Sequence, residues 1–229
     1  MTQSTGLTHH RLRPGVLFDV DGTLIDSNYL HSLAWSRAFR DAGEWAAMNA
    51  IHRLIGMDGD QLVKELLGHP CEAASDARSR RYRELFDDIR PFPAAKELLF
   101  DVHAGGLAVV LATSSPEAEL AEARRVLDAD DVIDSQTSAA DVEHAKPAPD
   151  VFVTAMKSAS VDPARALAVG DSVWDVKAAT AAGIACVAVE SGGFSRHELS
   201  EAGAVAVYRH VGDLKAQLHT SPIQALLTR

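Results

Sequence analysis

Val16-Leu17-Phe18-Asp19-Val20-Asp21-Gly22-Thr23 joins a short apolar run to two carboxylates, a glycine and a threonine. A run this short, with no polar residue to mark a solvent face, reads as a strand covered on both sides. Carboxylates at its end are unfavourable to bury unless cations or hydrogen bonds compensate them. A plain turn, with its acids capping the next helix, would also place Asp-Gly here. In a parallel α/β sheet, however, ligands gather beyond the carboxyl ends of the strands. The polar residues at the other strand ends therefore bear on the same question.

On either side, short apolar runs alternate with helical patterns. Strands are expected at 16–19, 107–113, 132–135, 166–170, 184–189 and 204–208, and helices at 94–103, 117–127, 149–158 and 173–182. Gly105-Gly106 and Gly183 stop two of these helices just before a strand, where a left-handed residue is usual. Strand and helix in alternation predict an α/β fold with a doubly wound parallel sheet, Rossmann-like in its connections. From 29 to 89 the rhythm breaks. Leu30, Leu33, Ala34 and Ala38 make one helical stripe, Leu62, Val63, Leu66 and Leu67 another, and 78–88 reads as a charged helix burying Tyr82, Leu85 and Phe86. About sixty helical residues are too many for one crossover connection. They predict a separate helical unit at 29–91, hinged near Ser27 and Pro91, on a core formed by 14–28 and 92–229. Residues 1–13 read as a flexible N-terminal arm.

The chain has 229 residues, 47% hydrophobic and 24% charged, which suffices for a real core. Its net charge of -10 argues against nucleic acid or an anionic membrane as the main partner. An acidic protein handling an anionic small molecule needs local positive charge, with a metal as one source. Cys71 and Cys186 lack metal-type spacing and read as two reduced, buried thiols, as in a cytoplasmic chain. No run approaches the roughly 20 apolar residues of a membrane helix. The opening Met1 to Pro14 carries His9, His10, Arg11 and Arg13 but lacks the apolar stretch of a signal peptide. The composition sets no oligomeric state.

Three further strand ends carry polar residues. Thr113-Ser114-Ser115 opens a helix, whose N-terminus attracts phosphate, although Ser-Ser-Pro-Glu is also an ordinary cap. Lys146 stands in Lys-Pro-Ala-Pro-Asp, where two prolines stiffen the approach to a helix and would fix its charge. Gly170-Asp171-Ser172-Val173-Trp174-Asp175 puts two acids on one face of a helix that starts at a strand end. Each acid alone suits a helix N-terminus; a metal would explain both.

Asp-x-Asp-Gly-Thr, Thr-Ser, an isolated Lys before a helix and Gly-Asp-x-x-x-Asp, in this order, resemble the four motifs of the haloacid dehalogenase superfamily. The helical unit after the first motif looks like that superfamily's small α-helical cap. The resemblance runs from Pro14 to about Leu218 and lies closest to the phosphoglycolate phosphatase and β-phosphoglucomutase branch. It implies a phosphatase acting on a small phosphate monoester through an aspartyl-phosphate. Asp19 would be the nucleophile and Asp21 the acid that protonates the leaving oxygen. Thr23 would help hold the loop at the phosphate, Thr113 and Ser114 would hydrogen-bond the phosphoryl group, and Lys146 would bridge it to Asp19. Mg2+ would be held by Asp19, the backbone carbonyl of Asp21, and Asp171, with Asp175 helping directly or through water.

The same residues weigh against some relatives. Haloacid dehalogenases need neither Asp21 nor a metal, and phosphonate hydrolases use a cap lysine, whereas Lys64, alone in the insert, sits in a charged pattern. Asp26, His31 and Trp35 resemble both the hexose-phosphate mutases and the sugar phosphatases of the branch. The stretch around Gly56 is apolar, with Ile55 and Met57, and so lacks the basic residues a mutase tends to carry there. The expectation is therefore a phosphatase, with a β-phosphoglucomutase-like phosphotransferase or a non-catalytic binding protein as alternatives. Specificity is expected from the cap residues His31, Trp35, Ile55, Met57 and Asp58, facing Ser115 and Glu117 of the core.

Overall fold

Apolar runs separated by amphipathic helices fold, in a computed structural model describing residues 12–227, into one six-stranded parallel sheet and a two-stranded ribbon. In chain order the strands are β1 (Arg13–Phe18), β2 (Ile25–Asp26), β3 (Arg90–Pro91), β4 (Ala108–Ala112), β5 (Ser135–Thr137), β6 (Val161–Gly170), β7 (Ala185–Val189) and β8 (Ala206–Tyr208). The helices are α1 (Asn28–Asp41), α2 (Met48–Leu54), α3 (Gly59–Leu67), α4 (Glu72–Arg83), α5 (Ala95–Ala104), α6 (Glu117–Leu127), α7 (Asp150–Ser158), α8 (Val173–Ala181), α9 (Arg196–Glu201), α10 (Val211–Ala216) and α11 (Gln224–Leu227). The sheet order is β5-β4-β1-β6-β7-β8. The chain builds outward from β1 in one direction, then crosses to β6 and builds the other way. That reversal opens a crevice at the carboxyl ends of β4, β1 and β6.

Successive strand side chains point to opposite faces, and both faces are covered. Val16, Phe18, Val109, Leu111, Leu167 and Val169 pack with Leu98, Leu99, Leu120 and Leu214 on one side. Leu17, Ala108, Val110 and Ala168 pack with Phe152, Ala155, Val176 and Ala179 on the other. This double coverage explains why the strands read as continuous apolar runs.

Several boundaries differ from expectation. The strand expected at 132–135 begins only at its last residue: Asp130–Val132 forms a 3-10 turn, and β5 is Ser135–Thr137. β5 is an edge strand with polar residues, so the apolar run placed it too early. β6 begins at Val161 rather than 166, because Val161 pairs with Arg13 beyond an irregularity in the ladder. Arg13 is thus in the sheet, while residues 1–11 of the expected arm lie outside the described residues. The helix expected over 78–88 starts earlier and ends at Arg83, followed by a 3-10 turn at Phe86–Asp88. Leu30 and Leu33 are only half-buried, and the covered face of α1 is His31, Ala34, Trp35, Ala38 and Phe39. Cys186 is buried as expected, but Cys71 is only half-buried.

Helices α1 to α4 lie between β2 and β3, which pair antiparallel with Ile25 opposite Pro91 and Asp26 opposite Arg90. They enclose a small core of their own around Trp35, Phe39, Ile51, Ile55, Leu62 and Val63. Among the described residues no helix is long and apolar enough to cross a membrane.

Candidate active site

β1 ends at Phe18, and the chain turns at once, with Leu24 and Ile25 both donating backbone hydrogen bonds to the Val20 carbonyl. Gly22 makes the turn possible: its φ is +77°, and a Cβ there would lie 2.2 Å from Asn28 Nδ2 and 2.5 Å from Asp171 Oδ2. The turn sends the two acids to different neighbours. Asp19 meets the end of β6 and the start of α8; Asp21 meets α1 and the loop after β4.

Asp19 is 6% exposed and ion-paired with Lys146, itself 3% exposed. Lys146 Nζ also lies 2.6 Å from Asp175 Oδ1. The other Asp175 oxygen accepts from the Ser172 backbone N–H at 3.1 Å and its hydroxyl at 2.5 Å, a capping box that starts α8. Asp171, 2% exposed, accepts from the Thr23 hydroxyl and from Asn28 Nδ2, each at 2.9 Å. Carboxylate oxygens of Asp19, Asp171 and Asp175 lie within 4.8 Å of one another. Burial pushes the Asp19 carboxyl up to about 7, with Lys146 opposing and Asp175 adding to the rise. Asp171 is likewise pushed well above the carboxylate range by burial, then by the charges of Asp175 and Asp19. Burial also works against the charge on Lys146, but Asp175 and Asp19 outweigh it and raise its pKa. Three buried carboxylates that repel one another, with all-oxygen donors, fit a hard divalent cation such as magnesium.

Asp21 is arranged differently. Its Oδ1 accepts from Ser27 Oγ at 2.6 Å and lies 2.9 Å from His31 Nε2, while its Oδ2 accepts from Ser115 Oγ at 2.7 Å. Burial tends to raise its pKa, but His31 and the two hydroxyls win and hold it below the usual range. His31 is itself buried, stacked on Tyr82, and bonded through Nδ1 to Arg78 Nη2 at 2.7 Å. Arg78 is in turn ion-paired with Glu119 of α6. The Asp21 carboxylate is therefore not part of the acidic cluster.

These groups face a cavity of about 260 Å³, slightly below the range typical of drug-sized ligands. Asp19, Asp21, Thr113, Ser114, Lys146, Asp171 and Asp175 line it from the sheet side, and His31, Trp35, Ile55 and Met57 from the helices. The buried Thr23 is not among the lining residues; its hydroxyl is committed to Asp171 and, more distantly at 3.4 Å, to Asp19. Nor do Asp58 and Glu117 line it: Asp58 caps α3 by accepting from the Asp60 and Gln61 N–H groups, and Glu117 is exposed. Lys64 is exposed as well. The sequence pattern named Ser27 only as a hinge and did not single out Asn28, Arg78 or Glu119 for the site. A polar Ser-Asn pair at the start of an amphipathic helix was the available signal for the first two.

Residues 16–189 match the haloacid dehalogenase-like hydrolases, a span that includes every residue of the cluster. The chain belongs to that family. A hydrolase from Pseudomonas syringae has the same architecture, with a TM-score of 0.86 at 33% identity over 91% of this chain and 99% of that one. Protein CbbY of Cereibacter sphaeroides is 31% identical over 80% of this chain and 86% of its own length. A phosphoglycolate phosphatase of Pseudomonas fluorescens is 31% identical over 80% of this chain and 71% of its own. As a family member, the chain combines the sheet of a haloacid dehalogenase-like hydrolase with acids, lysine and hydroxyls converging at one strand-end crevice.

Proposed function

We propose that this chain is a magnesium-dependent phosphatase that hydrolyses a small phosphate monoester, of the phosphoglycolate or sugar phosphate class, through an aspartyl-phosphate on Asp19. The observation that carries this reading is the placement of Asp19, which is at once a member of the carboxylate cluster and the partner of buried Lys146. The names of the relatives, a phosphoglycolate phosphatase among them, support the substrate class. Asp19, Asp171 and the Asp21 backbone carbonyl would hold magnesium, with Asp175 helping directly or through water. The ion supplies two positive charges that offset the repulsion, about 4 kcal/mol per unit-charge pair at 4 Å, between a carboxylate and a phosphate oxygen.

The Asp19 carboxylate attacks phosphorus, and the ester oxygen leaves with a proton from Asp21. Thr113, Ser114 and Lys146 hold the phosphoryl oxygens meanwhile. Asp21, then deprotonated, takes a proton from the water that attacks the aspartyl-phosphate, releasing inorganic phosphate and restoring Asp19. Helices α1 to α4 act as a cap, with Trp35, Ile55 and Met57 excluding other water. The apolar wall at Ile55 and Met57 favours hydrolysis over phosphoryl transfer to a second sugar phosphate. Two free thiols suit a cytoplasmic setting.

Asp19→Asn is expected to abolish magnesium-dependent release of an aryl alcohol from its phosphate while leaving the thermal transition cooperative. Turnover within a few-fold of the parent would remove the covalent route.

A further inference from the structure

The cavity is strongly biased toward negative charge, and its cations are already engaged. Asp19, Asp21, Asp60, Asp171 and Asp175 line it against two permanent cations, Lys146 and Arg78, among the described residues. Lys146 is held between Asp19 and Asp175 deep in the site. Arg78 is the cation on the cap side, where a leaving group would lie. Its partner Glu119, 5% exposed, projects from α6 of the core and does not line the cavity itself. The guanidinium charge is therefore cancelled from behind. Arg78 still has donor capacity, because its bonds from Nη1 to Glu119 and from Nη2 to His31 use two of the five N–H donors of a guanidinium. One turn earlier on α4, Ser75 donates to Asp60 at 3.1 Å, and a carboxylate has lone pairs to spare for further hydroxyl donors. Beside Asn28 and His31, the cap wall also has an apolar part formed by Trp35, Ile55, Met57 and Leu62.

We propose that the site selects phosphate esters of neutral, hydroxyl-bearing alcohols and rejects esters carrying a second anionic group, and that Glu119 enforces this by neutralising Arg78. The inference rests on the phosphatase reading and narrows its substrate class. A carboxylate or second phosphate at the cap side would meet Asp60 and a guanidinium that is already paired, and burying it without a free cation is unfavourable. A hydroxyl there would find both a donor and an acceptor. Specificity is a difference between two substrates, so Glu119 is a positioning residue whose effect is read in a ratio rather than in a rate.

The test uses two ester pairs that each differ only by CH2OH in place of COO⁻: glycerol 3-phosphate against 3-phosphoglycerate, and 2-hydroxyethyl phosphate against 2-phosphoglycolate. The parent should favour the hydroxyl ester of each pair by at least about tenfold in kcat/KM, and Glu119→Gln should narrow that ratio by about tenfold. The double variant Arg78→Gln/Glu119→Gln should leave the ratio close to the parent's, since it removes a charge together with its neutraliser; this variant also serves if Glu119→Gln does not fold. Equal use of both members by the parent, an unchanged ratio in folded Glu119→Gln, or a selective loss of the carboxylate esters in Arg78→Gln/Glu119→Gln would each overturn the proposal. If no ester at all releases phosphate, the phosphatase reading fails instead. Calorimetric binding of the same pairs to magnesium-loaded Asp19→Asn then decides the preference without turnover: tighter hydroxyl esters support it, and tighter carboxylate esters overturn it.

Discussion

An arginine can only donate hydrogen bonds, and this fixes the state of His31. Because Arg78 Nη2 lies 2.7 Å from His31 Nδ1, that nitrogen must accept, which leaves the proton on Nε2 facing Asp21 Oδ1. Asp21 therefore receives three donors and rests as an anion, the state that a base needs. Before it can act as an acid it must gain a proton, and an incoming phosphate, by bringing negative charge, favours that gain. Asp21→Asn is accordingly expected to slow alkyl phosphates by at least ~10²-fold, the low end of a general-acid contribution. Aryl phosphates, whose leaving groups need no proton, should be slowed less in the first step. Burst kinetics on both substrate types check this, and equal losses in a rate-limiting first step would remove the acid role. Asp19, Lys146, Asp171 and Asp175 were legible because each stands at a strand end, just before a helix or in its first turn, where chain order alone places it. His31 was named only as a cap residue, and Glu119 not at all. Their roles depend on α1, α4 and α6 meeting in space, which no local pattern encodes.

The helix N-termini and tight turns carry the site's geometry. Ser172 and Asp175 lock the first turn of α8, so the group that orients Lys146 is also the group that starts the helix. The 3-10 turn after β7 closes on the same spot: a Cβ added to Gly192 would lie 1.6 Å from Asp171 Oδ2. Gly192→Ala must therefore move Asp171 or the turn, a strain of about 1–3 kcal/mol by the usual scale of overpacking. The expected result is at least a tenfold loss of magnesium affinity by titration calorimetry, about 1.4 kcal/mol. That the sheet is covered on both faces was readable from its continuous apolar runs, whereas β5 was misplaced because an edge strand need not be apolar. The ribbon of β2 and β3 was invisible, being only two residues per strand and paired across the whole helical segment.

For the whole molecule, the acidic cluster links folding, pH and metal. The Asp19 carboxyl is raised from its ordinary 3.8 to about 7, and Asp171 is raised too, so these groups favour the folded state fully only below the ordinary value. That contribution is lost as pH rises through about 7, because the unfolded chain releases protons that the folded one retains. Lys146, raised above its ordinary 10.5, stays charged throughout this window, and the depressed Asp21 titrates below it. Metal-free protein should therefore melt lower at pH 8 than at pH 5.5, by at least the ~2–4 °C that 1 kcal/mol produces in a chain of this size. Magnesium should raise the transition more at pH 8, since it binds the deprotonated acids; scanning calorimetry with chelator and with magnesium checks both. The ribbon has a consequence of another kind. The chain leaves the sheet region at Ile25–Asp26 and returns at Arg90–Pro91, directly alongside, with Phe92 bonded back to the Leu24 carbonyl. Ends held that close resemble a socket: whatever lies between them can be lengthened, trimmed or exchanged without disturbing the register of β1 on β4 and β6. Inheritance can thus revise the recognition half of the protein while its reactive half stays fixed, so one ancestral chemistry can diversify across many metabolites.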